Sequence, residues 1–173
     1  KTEMWFIAHA EPGAKIYAGL KNGKTQADFE EALQDGTVAD VVHVIDARTG
    51  DCLFIPSGRV HAIGAGLLIY EIQQNSDTTY RVFDWNRSGM DGKPRELHIA
   101  ESMRSIDFND IEPQFEPAEQ DPLVNCPYFR IEHWNLETQR QAAPAGEFSV
   151  VAVLTGAVQC AGREFKPGEF FLV

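Results

Sequence analysis

The stretch between residues 50 and 61 limits most strongly what this chain can fold into. It reads as Gly50, five residues, Pro56, one residue, Gly58, two residues and His61. A turn glycine, a short apolar run, a proline and a second turn glycine predict a strand, a tight turn and another strand. This order places the imidazole of His61 at the mouth of a β-barrel, facing inward, where a metal can be held.

The same spacing resembles the second metal-binding motif of the cupins, which are small double-stranded β-helix barrels. The match is complete through His61, but Ala65 stands where the family often has Asn. The resemblance implies an all-β, jelly-roll fold with short helical insertions. A lone histidine on a strand is more often a packing residue than a ligand. The Gly-Pro-Gly spacing before His61 favours the ligand interpretation.

Length and charge narrow the classes of protein that fit. A chain of 173 residues can form one domain with a sizeable core, or one barrel and part of another. The net charge of −11 argues against nucleic acid or an anionic membrane surface as partner. No apolar run is long enough for a membrane span, and the widely spaced cysteines are typical of reduced thiols. We therefore expect a cytoplasmic protein.

Hydrophobic periodicity and a capping pattern predict several strands and a few short helices. Period-two alternation predicts a strand over residues 1–9, with Lys1, Glu3 and Trp5 on one face. That face is either part of a polar cavity or the solvated side of an edge strand. Thr25 and Asp28 form a capping-box pattern before a helix over residues 26–34. Further strands are predicted over 44–47, 67–73, 80–85, 128–136, 147–154 and 157–165, and further helices over 38–42 and 95–104.

The chain is predicted to contain two related parts. Residues 1–87 form the catalytic core, 88–127 a linker with a short helix, and 128–173 a second, truncated cupin-like repeat. The last part echoes the first, because Gly168 is followed by an acid and apolar residues, as Gly50 is. Both ends of the chain lie inside strand-like patterns, so we expect a fragment of a longer protein.

Three motifs in order carry a more specific resemblance. They are Lys1-Thr2-Glu3-Met4-Trp5, the motif ending in His61, and the run from Glu71 to Arg81 (EIQQNSDTTYR). Together they resemble the type I phosphomannose isomerases (mannose-6-phosphate isomerases), most closely the short bacterial form of these zinc enzymes. The specific part of the resemblance covers about residues 1–87. The remainder is loosely similar to the family's second cupin repeat.

The resemblance implies one zinc ion per active site, with Glu3 and His61 as ligands. In the family, the other two ligands come from a Gln-x-His segment that precedes the Lys-x-Glu motif. This chain begins at Lys1, so we expect those ligands before it. A catalytic zinc normally has at least three protein ligands and a water molecule.

The reaction implied is the interconversion of mannose 6-phosphate and fructose 6-phosphate through an enediol. Lys1, Glu71 and Arg81 match active-site positions of the family. Arg81 is always charged, so it suits holding phosphate or stabilising negative charge. Either Glu71 or Lys1 can transfer the proton. The structural alternatives are an ion pair between Glu71 and Arg81 and a solvated Lys1.

Two other functions fit the same sequence. One is a metal-free cupin that binds a sugar or acts as a regulatory module. The other is a cupin isomerase that acts on another sugar. In the leading interpretation the partner is a small sugar phosphate, and the sequence does not specify the oligomeric state.

Overall fold

The computed structural model describes residues 1–85, 92–117 and 119–173. These residues form two compact units, Lys1–His133 and Trp134–Val173. In the described residues, strands outnumber helices, as predicted for an all-β chain. Within the described ranges, no helix is long and apolar enough to cross a membrane.

The first unit is built around two antiparallel three-stranded sheets. Their strands are β1 (Glu3–Ala10), β2 (Lys15–Leu20), β3 (Val42–Asp46), β4 (Cys52–Ile55), β5 (His61–Ile63) and β6 (Leu67–Gln73). The strand order is β4-β1-β6 in one sheet and β3-β2-β5 in the other. The predicted edge-strand alternative for residues 1–9 is wrong, because β1 is the central strand of its sheet and Glu3 is only 4% exposed.

A shared apolar core joins the two sheets. Trp5 and Ile7 alternate along β1 and pack against Ile16 and Ala18 of β2. Neighbouring strands add further buried aliphatic side chains: Ile45, Ala47, Leu53 and Ile55. Full burial of each large aliphatic side chain contributes about 1.5–3 kcal/mol. This packing fixes the position of β1, and with it the position of the polar side chains at its start.

A second core lies beneath helix α1 (Gln26–Asp35). The predicted capping box is confirmed, since Thr25 accepts from the Asp28 backbone N–H and Asp28 accepts from that of Thr25. Gly36 ends the helix at a φ of 72°. Phe29 packs with Leu20 and their apolar neighbours. The predicted helix over 38–42 is a single 3₁₀ turn, Val38–Asp40.

The predicted strand over residues 80–85 is wrong. That segment forms neither strand nor helix, and Trp85 has a positive φ of 47°. Val82 and Phe83 pack against the second core, while the carboxylate of Asp84 accepts two hydrogen bonds from Arg95. Side-chain contacts, rather than pairing with another strand, therefore hold this segment in place. Most of the predicted loop over residues 86–94 lies outside the described residues.

Residues after this segment also belong to the first unit. Helix α2 (Ile99–Ser105) begins four residues later than the helix predicted over 95–104. Two short strands, β7 (Val124–Asn125) and β8 (Arg130–Ile131), pair with each other. Between them and α2, Ile111 bridges to Leu20, and the Glu116 N–H donates to the Cys52 carbonyl at 2.8 Å. This irregular segment therefore lies along the sheets.

The second unit contains two antiparallel strand pairs. Its strands are β9 (Val150–Ala152), β10 (Val158–Cys160), β11 (Arg163–Phe165) and β12 (Phe170–Leu172). Strand β10 pairs with β11, and β9 pairs with β12. Strand β9 is shorter than the predicted strand over 147–154, and the single strand predicted over 157–165 is wrong, since β10 and β11 form there and pair with each other.

Candidate functional site

The start of β1 and the end of β6 place four polar or aromatic side chains on one face. Glu3 lies directly opposite Gln73, and Trp5 lies directly opposite Glu71. Directly opposed residues in an antiparallel pair point to the same side of the sheet. Trp5 belongs to the core between the two sheets. The carboxyl groups of Glu3 and Glu71 are therefore on the inner face, where Glu3 is buried and Glu71 is exposed.

Glu3 is the centre of this group. Its side chain is 6% exposed, and its two oxygens have different neighbours. The Lys1 Nζ lies 3.8 Å from Oε1, and the His61 Nε2 lies 3.7 Å from Oε2. A buried carboxylate is costly unless cations or donors compensate it. The predicted ligands Glu3 and His61 are thus adjacent in the structure, with the predicted active-site residue Lys1 beside them.

A backbone hydrogen bond orients the imidazole of His61. Its Nδ1 lies 2.8 Å from the carbonyl oxygen of Arg59. Since a carbonyl only accepts, Nδ1 carries the proton and a neutral ring has its lone pair on Nε2. This Nε2 lies 3.7 Å from the Oε2 of Glu3. A metal cation or a proton between the two groups satisfies both.

The distance between Glu3 and His61 suits two ligands of one metal ion. Nitrogen and oxygen ligands at about 2.0–2.1 Å in a tetrahedral zinc site are about 3.3 Å apart. The separation of 3.7 Å between Glu3 Oε2 and His61 Nε2 is close to this value. Among the described residues, no group of three or more His, Cys, Asp or Glu side chains can hold a metal. Glu3 and His61 therefore fit zinc as two ligands of an incomplete set.

Trp5 connects His61 to Glu71. Its indole Nε1 donates to Glu71 Oε2 at 3.2 Å. Its ring meets the His61 ring edge-on, with centroids 5.2 Å apart and planes at 80°. Trp5 is 2% exposed, so its indole is packed firmly between His61 and Glu71. The sequence pattern predicts an aromatic on this face, but it does not predict the hydrogen bond.

Arg81 contacts a different part of the chain. Its guanidinium Nη1 donates to the backbone carbonyl of Glu96 at 3.4 Å. Its backbone N–H and carbonyl both bond to His98, at 3.3 and 2.7 Å. Within the described ranges, Glu71 and Arg81 form no ion pair, so the structural alternative for these two residues is wrong. The catalytic role of Arg81 stays a prediction.

Two residues that sequence reasoning missed support the turn before His61. The Arg59 guanidinium donates to both oxygens of the Asp110 carboxylate, at 2.8 and 2.9 Å. It also donates to the Phe54 carbonyl at 2.5 Å. Arg59 stands inside the predicted motif, but its partner is 51 residues away. No periodicity or spacing in the sequence links the two.

Other notable features lie outside this group. Open cavities of about 500 and 460 Å³ are lined by residues 23–26 with 108, 109 and 111, and by residues 10–14 with 46–49. Neither is lined by Glu3, His61 or Glu71. Burial raises the pKa of the Cys52 thiol to about 12, and the charge of Glu116 adds to this effect. Cys52 is thus a protonated core residue, as predicted for a buried reduced thiol.

Curated proteins and a solved structure resemble the chain over nearly all of its length. No family model matches it. It is 33% identical to mannose-6-phosphate isomerase ManA of Bacillus subtilis (strain 168), over 100% of this chain and 58% of that protein. It is 32% identical to a mannose-6-phosphate isomerase of Streptococcus mutans serotype c, over 90% of this chain and 51% of that protein.

The fold comparison agrees with the sequence comparison. The structure matches a crystal structure of the mannose 6-phosphate isomerase from Bacillus subtilis with a TM-score of 0.83 and 26% identity. That match covers 99% of this chain and 58% of the other. The predicted resemblance is therefore confirmed: the chain is related along its length to proteins named mannose-6-phosphate isomerase, and it spans little more than half of the length of each.

Proposed function

We propose that this chain is part of a zinc-dependent isomerase that interconverts mannose 6-phosphate and fructose 6-phosphate. The observation that carries the proposal is the buried Glu3 carboxylate, whose Oε2 lies 3.7 Å from the Nε2 of His61. The same inner face holds Lys1 and Glu71. The similarity to proteins named mannose-6-phosphate isomerase supports this assignment.

The finer fold assignment belongs to the same proposal. We infer that the first unit is a cupin-type double-stranded β-helix and that Trp134–Val173 is part of a second cupin-like repeat. Two antiparallel sheets that enclose an apolar core support this inference. The strand, turn and strand around Pro56 and Gly58 support it as well, because they deliver His61 to the inner face.

Zinc would be held by Glu3 and His61, together with ligands that the family resemblance places before Lys1. When bound, zinc polarises substrate oxygens and stabilises the negative charge of an enediolate. The carboxylate of Glu3 and the imidazole of His61 are suitable donors, since zinc accepts both oxygen and nitrogen. The carbonyl of Arg59 would orient the imidazole through its Nδ1–H.

Proton transfer between C2 and C1 needs a base within hydrogen-bond reach of the substrate. Glu71 is the better placed candidate, because its side chain is exposed and one of its oxygens accepts from the Trp5 indole beside His61. The ammonium of Lys1 lies next to Glu3, so it balances the charge of that carboxylate. In this assignment Glu71 moves the proton and Lys1 assists electrostatically.

The phosphate of the substrate requires a local cation, since the net charge of the chain is −11. Arg81 is suitable because its guanidinium donates to a backbone carbonyl rather than to a carboxylate within the described residues. A guanidinium can bind a phosphate with two parallel hydrogen bonds. We assign Arg81 to phosphate binding.

The proposal is tested on the full-length protein by zinc content and by isomerase activity on mannose 6-phosphate. We expect one zinc ion per chain and a loss of activity of at least about 10³-fold in Glu3→Gln. Arg81→Ala should raise the KM for mannose 6-phosphate at least about tenfold. Lys24→Ala is the control, because the Lys24 side chain is 40% exposed and pairs with Asp28 on α1.

Three outcomes would contradict the proposal. A metal-free wild-type protein without isomerase activity in zinc-replete buffer would favour the sugar-binding module. Equal activity of Glu3→Gln and wild type would remove Glu3 from the site. Turnover of another sugar in a substrate panel, without turnover of mannose 6-phosphate, would identify a different isomerase.

A further inference from the structure

The ion pair between Arg59 and Asp110 is well shielded from solvent. The side chains are 13% and 15% exposed, and the guanidinium and carboxylate form two parallel hydrogen bonds. Such bidentate pairs fix orientation as well as distance. The exposed pair of Lys15 and Asp46 differs, because its side chains are 47% and 77% exposed.

Both partners are attached to the framework of the two sheets. The Asp110 carbonyl accepts from the Leu20 N–H of β2 at 2.9 Å. The Arg59 guanidinium donates to the Phe54 carbonyl of β4 at 2.5 Å. Arg59 therefore links a strand of one sheet, through Asp110, to a strand of the other.

The backbone around Arg59 is held on both sides as well. The Gly58 carbonyl accepts from the Asp107 N–H at 2.9 Å, and the Val60 carbonyl accepts from the Gly19 N–H at 2.8 Å. The carbonyl of Arg59 lies between these two anchored groups. It is the acceptor for His61 Nδ1 at 2.8 Å.

We propose that Asp110 and Arg59 are positioning residues for His61. Their ion pair fixes the turn so that the Arg59 carbonyl holds the Nδ1–H tautomer and directs Nε2 towards Glu3. Neither residue touches zinc or substrate in this arrangement. The tautomer part stands on the geometry alone, and the metal-binding part rests on the proposed function.

The first test measures the His61 tautomer in the metal-free, full-length protein. Imidazole ¹⁵N chemical shifts distinguish Nδ1–H from Nε2–H. We expect wild type and the control Asp46→Asn to hold the Nδ1–H form. Asp110→Asn is expected to show a mixture, with the Nε2–H form rising at least about threefold above its wild-type fraction, because the turn loses its two-pronged anchor.

The second test measures zinc affinity by competition with a chromophoric chelator. We expect Asp110→Asn to bind zinc about 10–100-fold more weakly, as for other residues that orient a ligand. Asp46→Asn should stay within about twofold of wild type. Arg59→Lys keeps the charge but lacks the planar fork, so its affinity should lie between the two. It also serves as the second variant if Asp110→Asn folds poorly.

The outcomes separate this inference from the proposed function. A wild-type His61 tautomer in folded Asp110→Asn or Arg59→Lys overturns the inference, as does unchanged zinc affinity in both variants. A wild-type protein that binds no zinc overturns the proposed function instead, and the tautomer measurement then still decides the positioning role.

Discussion

The two units of this chain differ in how completely they bury their apolar side chains. In Lys1–His133, both faces of β1 are covered, with Met4 at 1% and Ile7 at 0% exposure. In Trp134–Val173, Val153 and Phe165 are the buried residues. One face of the β9–β12 pair instead exposes Val150, Phe170 and Leu172, and Phe148, just before β9, is exposed as well.

This difference explains where the candidate site lies. A site that relies on distances near 3.7 Å needs rigid supporting elements. The first unit provides them, since Glu3 starts the central strand and His61 follows a turn that Arg59 fastens. The second unit offers apolar surface rather than a positioned polar cluster. Exposed apolar surface of this kind is typical of a contact face.

The sharpest test of the contrast replaces the same residue type in each unit. Leu53 is 0% exposed and Leu172 is 68% exposed. Leu53→Ala should lower the free energy of unfolding by about 2–5 kcal/mol, because it leaves a cavity in the shared core. Leu172→Ala should change it by less than about 0.5 kcal/mol. Urea unfolding followed by circular dichroism measures both, and equal costs would show that the burial contrast is wrong.

Two glycines give a second matched comparison. Gly19 and Gly156 have similar positive φ values of 65° and 69°. A Cβ at Gly19 would lie 2.5 Å from the Pro113 Cδ and 2.7 Å from the Asp110 carbonyl oxygen, whereas a Cβ at Gly156 meets nothing within 4 Å. Alanine at either position costs about 1–2 kcal/mol for the left-handed backbone.

Gly19→Ala should cost about 1–3 kcal/mol more than Gly156→Ala, because it also overpacks the segment that carries Asp110. The difference in unfolding free energy is again measured in urea. Similar costs for the two variants would mean that Asp110 is not held closely against β2.

The smallest expected effect concerns thiol reactivity. Cys52 is 2% exposed and has a pKa raised to about 12, whereas Cys160 in the second unit is half-buried. At pH 8 we expect iodoacetamide to label Cys160 at least about tenfold faster than Cys52, since only an accessible thiolate reacts. Peptide mass spectrometry measures the rates. Faster labelling of Cys52 would contradict the tight packing of β4.

The raised pKa of Cys52 also predicts how the free energy of unfolding changes at alkaline pH. The folded pKa lies above the ordinary value of 9.0, so the unfolded chain releases this proton first as pH rises. The stabilisation from a buried neutral thiol is complete below pH 9 and is lost between about pH 9 and 12. Cys52→Val should flatten the fall of stability over that range.

Local sequence signals predicted the parts of the fold that depend on neighbouring residues. The capping box at Thr25 and Asp28 gave α1 to within one residue at its end. Period-two alternation gave β1 and placed Glu3 and Trp5 on one face, and the Gly-Pro-Gly spacing gave β4 and β5. These patterns act over a few residues, so a single sequence contains them.

Longer-range features could not be predicted in the same way. The Arg59 and Asp110 pair depends on the path of residues 107–116, which have little periodicity. The strand predicted over 80–85 has suitable residues, but packing of Phe83 and the bond between Asp84 and Arg95 determine its conformation. In each case tertiary contacts outweigh local propensity.

The central claim is that Glu3 and His61 bind the same zinc ion. Anomalous X-ray diffraction at the zinc edge, from crystals of the full-length protein grown with zinc, tests it most directly. The account predicts a zinc peak about 2.0–2.2 Å from both Glu3 Oε2 and His61 Nε2. A zinc ion bound elsewhere, with these two side chains in contact only with each other, would contradict it.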